Sequence, residues 1–150
     1  MTRQALLDLA ARCEAATGAD RAIDGSVYAY LTRGQPYVIG NEPGRFPQKP
    51  IMGERADVMR EMPNADGAEY ICAPAYTASL DAAMTLVPEG WRNRLLDASV
   101  ECRFAWMLQG PQIQWEEGLA PQFASGVGKT PALALTAACL KALAQEIERD

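Results

Sequence analysis

Trp91-Arg92-Asn93-Arg94-Leu95-Leu96, then Asp97-Ala98-Ser99, then Cys102-Arg103-Phe104-Ala105-Trp106-Met107-Leu108 is the stretch that decides the fold class. Its first run puts Trp91, Asn93 and Leu95 on one side and Arg92 and Arg94 on the other. Its second puts Cys102, Phe104, Trp106 and Leu108 on one side. Period-two alternation rich in aromatic residues is the mark of a half-buried strand. The pair predicts a β-hairpin turning at Asp97-Ala98-Ser99. Gly110-Pro111 is expected to break the second strand. Beyond it, Ile113 to Trp115 reads as a third strand and Leu119 to Ala124 as a fourth strand or a loop.

Helical spacing takes over on either side of this region. Downstream, Thr130 is placed as an N-cap and Pro131 falls at the first helical position, where its missing N–H costs nothing. Leu133, Ala137, Leu140, Ala144 and Ile147 then trace one stripe of an alanine-rich helix suited to close packing on a sheet. Upstream, Thr77 or Ser79 can cap a short helix whose apolar face is Leu80, Ala83, Met84 and Val87, closed by Pro88 and Gly90. At the N-terminus, Thr2 caps a helix carrying Leu6, Leu9, Ala10 and Cys13, which Gly18 stops. Asp20 caps a second helix with Ile23, Val27, Tyr30 and Leu31 on one face, ended by Gly34. The pattern predicts an α+β fold, with a small antiparallel sheet of 3–4 strands flanked by helices.

Between these regions, residues 34–75 are punctuated by Pro36, Pro43, Pro47, Pro50, Pro63 and Pro74 and by several glycines. They read as an irregular insertion within one domain spanning 1–150. Tyr37-Val38-Ile39 and Tyr70-Ile71-Cys72 are candidate short strands, Arg55 to Met62 a turn or two of helix, and Asn64-Ala65-Asp66-Gly67 a turn. Long irregular segments in compact domains carry function or move. Tyr37, Arg45, Phe46, Lys49, Ile51 and Met52 put apolar and cationic side chains there and are the candidate protein-contact surface.

Length and composition bound the rest. The chain has 150 residues, 49% hydrophobic and 22% charged, enough for one domain with its own core. Its 14 Lys+Arg against 19 Asp+Glu give a formal charge of −5, against the basic face expected of a direct nucleic-acid binder. There are no histidines, which removes Ser-His-Asp and Cys-His catalysis, histidine general bases and the zinc-protease helix motif. The acidic residues form no DxD or calcium-loop spacing, so no metal and no cofactor are expected. Cys13, Cys72, Cys102 and Cys139 are too far apart for a CxxC site, and Cys13 and Cys139 fall in helical apolar patterns as small buried hydrophobes. Met1-Thr2-Arg3-Gln4 runs straight into a helix bearing Asp8, Arg12 and Glu14, with no signal-peptide apolar region. No run approaches the length of a membrane span. The expectation is a cytoplasmic, reduced protein.

Gly126-Val127-Gly128-Lys129-Thr130 has the look of the tail of a phosphate-binding loop opening a helix. The required upstream glycine is replaced by Phe123, and Pro131 removes an amide where a phosphate needs donors. The better reading is a flexible loop leading into a capped helix, with Lys129 and nearby amides as weak anion donors. Trp91, Phe104, Trp106 and Trp115 could form a stacking platform, but hairpin tryptophans more often cover a core. Arg92, Arg94 and Arg103 lie on one predicted strand pair, where they can bind phosphates or face solvent beside carboxylates. Arg92, Arg94, Arg103, Gly128, Lys129 and Thr130 are therefore the candidate anion or nucleotide set.

Three blocks together resemble a known family. They are Leu6-Leu7-Asp8-Leu9-Ala10-Ala11-Arg12-Cys13-Glu14-Ala15-Ala16-Thr17-Gly18-Ala19-Asp20-Arg21 with Ile23-Asp24; Pro74-Ala75-Tyr76-Thr77-Ala78-Ser79-Leu80-Asp81-Ala82-Ala83-Met84 with Val87-Pro88-Glu89-Gly90-Trp91; and Thr130-Pro131-Ala132-Leu133-Ala134-Leu135 with Ala138-Cys139-Leu140-Lys141-Ala142. Their order and spacing resemble the phage "ABA sandwich" family of small phage and prophage proteins. The resemblance implies an α-β-α sandwich, with the hairpin between the Ser79 helix and the C-terminal helix, and a phage or prophage setting. It transfers no catalytic residue. Segment 34–75 is longer than the family leads one to expect.

The expected function is that of a non-enzymatic phage accessory protein acting by binding a host protein, such as an inhibitor of a host defence system (an anti-CRISPR). The alternative is a small-molecule binder that sequesters a nucleotide-type signal through Lys129, the hairpin arginines and the aromatic platform. An enzyme using Asp or Tyr as base, and a structural protein that associates only with itself, are the remaining classes.

Overall fold

The computed structural model describes residues 2–31, 73–100 and 103–149. The strands, helical turns and turn expected between residues 37 and 72 lie outside the described residues. The elements are α1 (Arg3–Ala15), α2 (Arg21–Leu31), α3 (Leu80–Met84), β1 (Arg92–Val100), β2 (Arg103–Trp115), β3 (Gly118–Gly128) and α4 (Pro131–Arg149). The chain divides into two compact units, Met1–Ala19 with Tyr76–Asp150, and Asp20–Ala75.

In the first unit the strands form one three-stranded antiparallel sheet in the order β1-β2-β3, with helices flanking it. This is the expected α+β class. Alternation along the paired strands sorts their residues by face. Trp106 pairs with Gly126 and Leu108 with Ala124, and all four are buried. This face receives α4, which packs on β2 and β3 and also touches α1 and α3. Every residue from Ala132 to Leu140 is buried, because α4 is covered by the sheet and by other helices at once. Its alanines keep those approaches short. Gly126 is closest: a Cβ there would stand 2.5 Å from the Ala138 nitrogen and press on the Ala134 carbonyl oxygen. Thr136, the polar exception on α4, is fully buried and donates its hydroxyl to the Tyr76 carbonyl at 2.9 Å.

The expected caps at Thr2 and Thr130 form, and of the two candidates Thr77 and Ser79 it is Ser79 that caps α3. Thr2 accepts from the Ala5 amide at 3.3 Å, Ser79 from Ala82 at 3.3 Å and Thr130 from Leu133 at 3.2 Å. Leu6, Leu9, Ala10 and Cys13 are the buried face of α1. On α3 the expected apolar face is only partly used. Ala83 is buried, Leu80 and Met84 are exposed, and Leu86 beyond the helix is buried in their place. With five residues, α3 is too short to present a continuous stripe.

Three strand-level expectations are corrected. Asp97-Ala98-Ser99 is not the turn: β1 runs through it to Val100, which pairs with Arg103, and a register shift between Asp97 and Val100 absorbs the polar residues. The alternation of the first run also fails. Asn93 pairs with Leu108 and Leu95 with Met107, so Arg94 is the extra residue of a bulge. Gly110-Pro111 does not end β2, which continues to Trp115. Pro111 falls at the bulge between Gln109 and Gln112, where a missing N–H takes nothing from the ladder. Gly110 is required there by packing: a Cβ would meet the Trp91 indole at 2.8 Å.

In the second unit, Asp20 caps α2 by accepting from the Ala22 and Ile23 amides at 2.8 and 3.2 Å. Asp24 is buried and pairs with Arg21 at 2.6 Å. The same guanidinium donates to the carbonyls of Ala73, at 2.5 Å, and Pro74, at 3.1 Å, and so ties the start of α2 to that segment. Tyr28 and Ala29 pack on Ala73.

Candidate functional site

Past the bulge the β2–β3 ladder continues through Gln112–Pro121, Ile113–Ala120, Gln114–Leu119 and Trp115–Gly118. Glu116 and Glu117 form its exposed tip. Gly118 adopts a φ of +135°, a conformation in which a side chain would be strained. This hairpin concentrates exposed apolar side chains: Trp115 is 60% exposed, Leu119 64%, Phe123 50% and Val127 38%. Leu119, Phe123 and Val127 lie at even spacing along β3, so they share the face opposite α4. Trp115 belongs to the other face and borders a concavity of about 650 Å³ at the tip with Glu116, Glu117 and Leu119.

The free edge of β3 is partly occupied. The Val127 amide donates to Glu14 Oε1 at 3.3 Å, and the Phe123 carbonyl accepts from Gln145 Nε2 at 2.9 Å. Side chains of α1 and α4 thus take up edge groups that another strand would need. The apolar face remains open where that edge is blunted.

The anion candidates do not come together. Arg92 and Arg94 are exposed and line a cavity of about 250 Å³ with Gln109 and Gln112, and Arg94 Nε donates to Gln109 Oε1. Arg103 lies at the opposite end of the β1–β2 pair, opposite Val100, and donates to the Glu14 carbonyl. Arg92 pairs with Gln109, which is six positions along β2 from Arg103, roughly 20 Å of strand. Gly128, Lys129 and Thr130 fall at the Arg103 end, since Phe104 pairs with Gly128. Gly126-Val127-Gly128 is the end of β3 and not a flexible loop. Gly128 is buried against Leu133 and Ala134, and the Thr130 hydroxyl is engaged as a cap. A single nucleotide site built from all six residues has no geometric basis.

The aromatic platform divides too. Trp91 and Trp106 are buried, and their indole N–H groups donate to Glu146 at 2.8 Å and Asn93 at 2.9 Å. Only Trp115 of the three tryptophans is exposed. Tyr37, Arg45, Phe46, Lys49, Ile51 and Met52 lie outside the described residues. Leu119, Phe123 and Val127 are not singled out by the sequence reading. Their signal is a spacing of four along the chain, which a loop at Gly126-Val127-Gly128 would make meaningless.

Among the described residues, no group of three or more Cys, Asp or Glu side chains could hold a metal ion. Cys13 and Cys139 are buried, as expected, and burial pushes the Cys139 thiol up to about 12. No helix of the described residues is long and apolar enough to cross a membrane. No protein-family model, curated protein or solved structure matches this chain.

Proposed function

We propose that this chain is a phage or prophage accessory protein that acts by binding a host protein through the β2–β3 hairpin. The observation that carries the binding reading is the row of Leu119, Phe123 and Val127, all exposed on one face of β3, with Trp115 exposed at the tip of the same hairpin. Exposed apolar residues scattered singly need no explanation, whereas a cluster of them marks a contact surface. Exposed aromatic side chains such as Trp115 at the tip and Phe123 farther along β3 are of the kind that dominates protein interfaces. The phage setting rests on the resemblance of the sequence blocks at 6–24, 74–91 and 130–142. It makes a defence component such as a CRISPR effector the first host target to examine.

The test is affinity capture from bacterial lysate, with Trp115→Ser/Leu119→Ser/Phe123→Ser beside the parent chain. The captured protein is then purified and the complex rebuilt from the two components. A 1:1 complex formed by the parent and lost in the variant supports the reading. Equal capture by both chains, or capture by neither, overturns it.

A further inference from the structure

We infer that Arg92, Arg94, Gln109 and Gln112 form a binding site for a phosphate group. The inference does not rest on the protein-binding reading above. Arg92 reaches the site through its pairing with Gln109, and Arg94 through its hydrogen bond to the Gln109 side chain. Both arginines therefore line one cavity beside Gln109.

Among the described residues neither arginine is paired with a carboxylate. The partner of Arg94 is a neutral amide. Like charges on one wall of a small cavity repel, and an oxyanion between them removes that cost while accepting from both planar forks. Gly90, Gly110 and Pro111 complete the wall, and at Gly90 nothing stands within 4 Å of where a side chain would begin. Gln109 and Gln112 add amide donors suited to the remaining oxygens.

Size narrows the ligand. At about 250 Å³ the cavity is smaller than the usual small-molecule site of roughly 300–1,000 Å³. It accommodates a phosphate and leaves an attached group outside. Lys129 and Arg103, at the other end of the sheet, take no part.

The experiment follows the arginine Nε–Hε signals of the full chain by NMR at low ionic strength. Inorganic phosphate and glycerol 3-phosphate are titrated separately, with chloride as control. The expected result is a saturable shift confined to Arg92 and Arg94. Tighter binding of glycerol 3-phosphate identifies an esterified phosphate, and tighter binding of inorganic phosphate the free anion. Arg92→Gln and Arg94→Gln should each weaken binding by about tenfold or more, and Lys129→Gln should leave it unchanged. No saturable shift with either phosphate overturns the proposal. So do equal shifts with chloride, undiminished binding in the double arginine variant, or a loss in Lys129→Gln as large as in the arginine variants.

Discussion

Gly126 on β3 faces Ala134 on α4 with no room for a side chain between them, since a Cβ on Gly126 would press on the Ala134 carbonyl oxygen. The obstruction is backbone on a helix buried all round, so neither side can give way cheaply. Gly126→Val is expected to destabilise the fold by about 3 kcal/mol, the upper part of the range for overpacking. Gly18→Ala is the matched control, because nothing stands within 4 Å of a Cβ there. Urea unfolding of both variants checks the pair. A Gly126→Val midpoint equal to that of Gly18→Ala would refute the close approach.

Thr136 tests the polar bond within the helix core. Its hydroxyl is fully buried and supplies the Tyr76 carbonyl with a donor at 2.9 Å. Thr136→Val keeps the shape and removes the donor, leaving a buried carbonyl without this bond. The expected loss is about 1–3 kcal/mol. Thr136→Ser keeps the hydroxyl and should recover part of it. Thermal unfolding of the three chains decides, and equal stability of the Val and Ser variants would show that the bond contributes nothing.

Glu14 links α1 to α4 and to the sheet edge. It pairs with Lys141 at 2.5 Å, with about a quarter to a third of each side chain exposed, and also accepts from the Val127 amide. Partial exposure keeps the ion pair weak. A double-mutant cycle of Glu14→Gln and Lys141→Gln should give a coupling of about 0.5–1 kcal/mol that falls as salt is added. A coupling that does not change with salt would contradict the ion pair.

The Cys139 thiol has a pH signature. Burial raises its pKa from 9.0 to about 12, so the folded chain keeps a proton that the unfolded chain releases. The stability this contributes is fully present below pH 9 and is lost as pH rises from there toward 12. Between these limits, denaturation midpoints should fall with pH more steeply in the parent than in Cys139→Ala. In the native state, Cys139 should react with a thiol reagent only as fast as the fold opens. Parallel pH profiles for the two chains would remove the effect.

What the sequence reveals and what it conceals divide along one line. Caps are local chemistry, so Thr2, Asp20 and Thr130 can be read from a few residues each, and the cap of α3 can be narrowed to Thr77 or Ser79. Strand ends depend on pairing. Gly110-Pro111 carries a strong breaking signal, yet the bulge and the Trp91 ring make both residues fit inside β2. The same holds for the sites. Arg92 and Arg94 are two residues apart and can be grouped by eye, but the distance from them to Arg103 is set by the register of β1 on β2. The exposed face of β3 is hidden for a related reason. Glycines at 126 and 128 suggest a loop, and they are there because α4 lies against them.

The exposed side chains of the β2–β3 hairpin separate binding from stability. Trp115, Leu119 and Phe123 are each at least half exposed, so their polar replacement removes little apolar contact within the chain. Trp115→Ser, Leu119→Ser and Phe123→Ser should each leave stability within about 0.5 kcal/mol of the parent, the usual span for surface changes. Trp106→Ser is the contrast. Its indole is buried and bonded to Asn93 at 2.9 Å, and removing it should cost about 3–5 kcal/mol. The parent and the surface variants should differ in complex formation while sharing one unfolding curve. If the surface changes lower stability as Trp106→Ser does, the three side chains are packed within the fold, and the contact surface must be sought elsewhere.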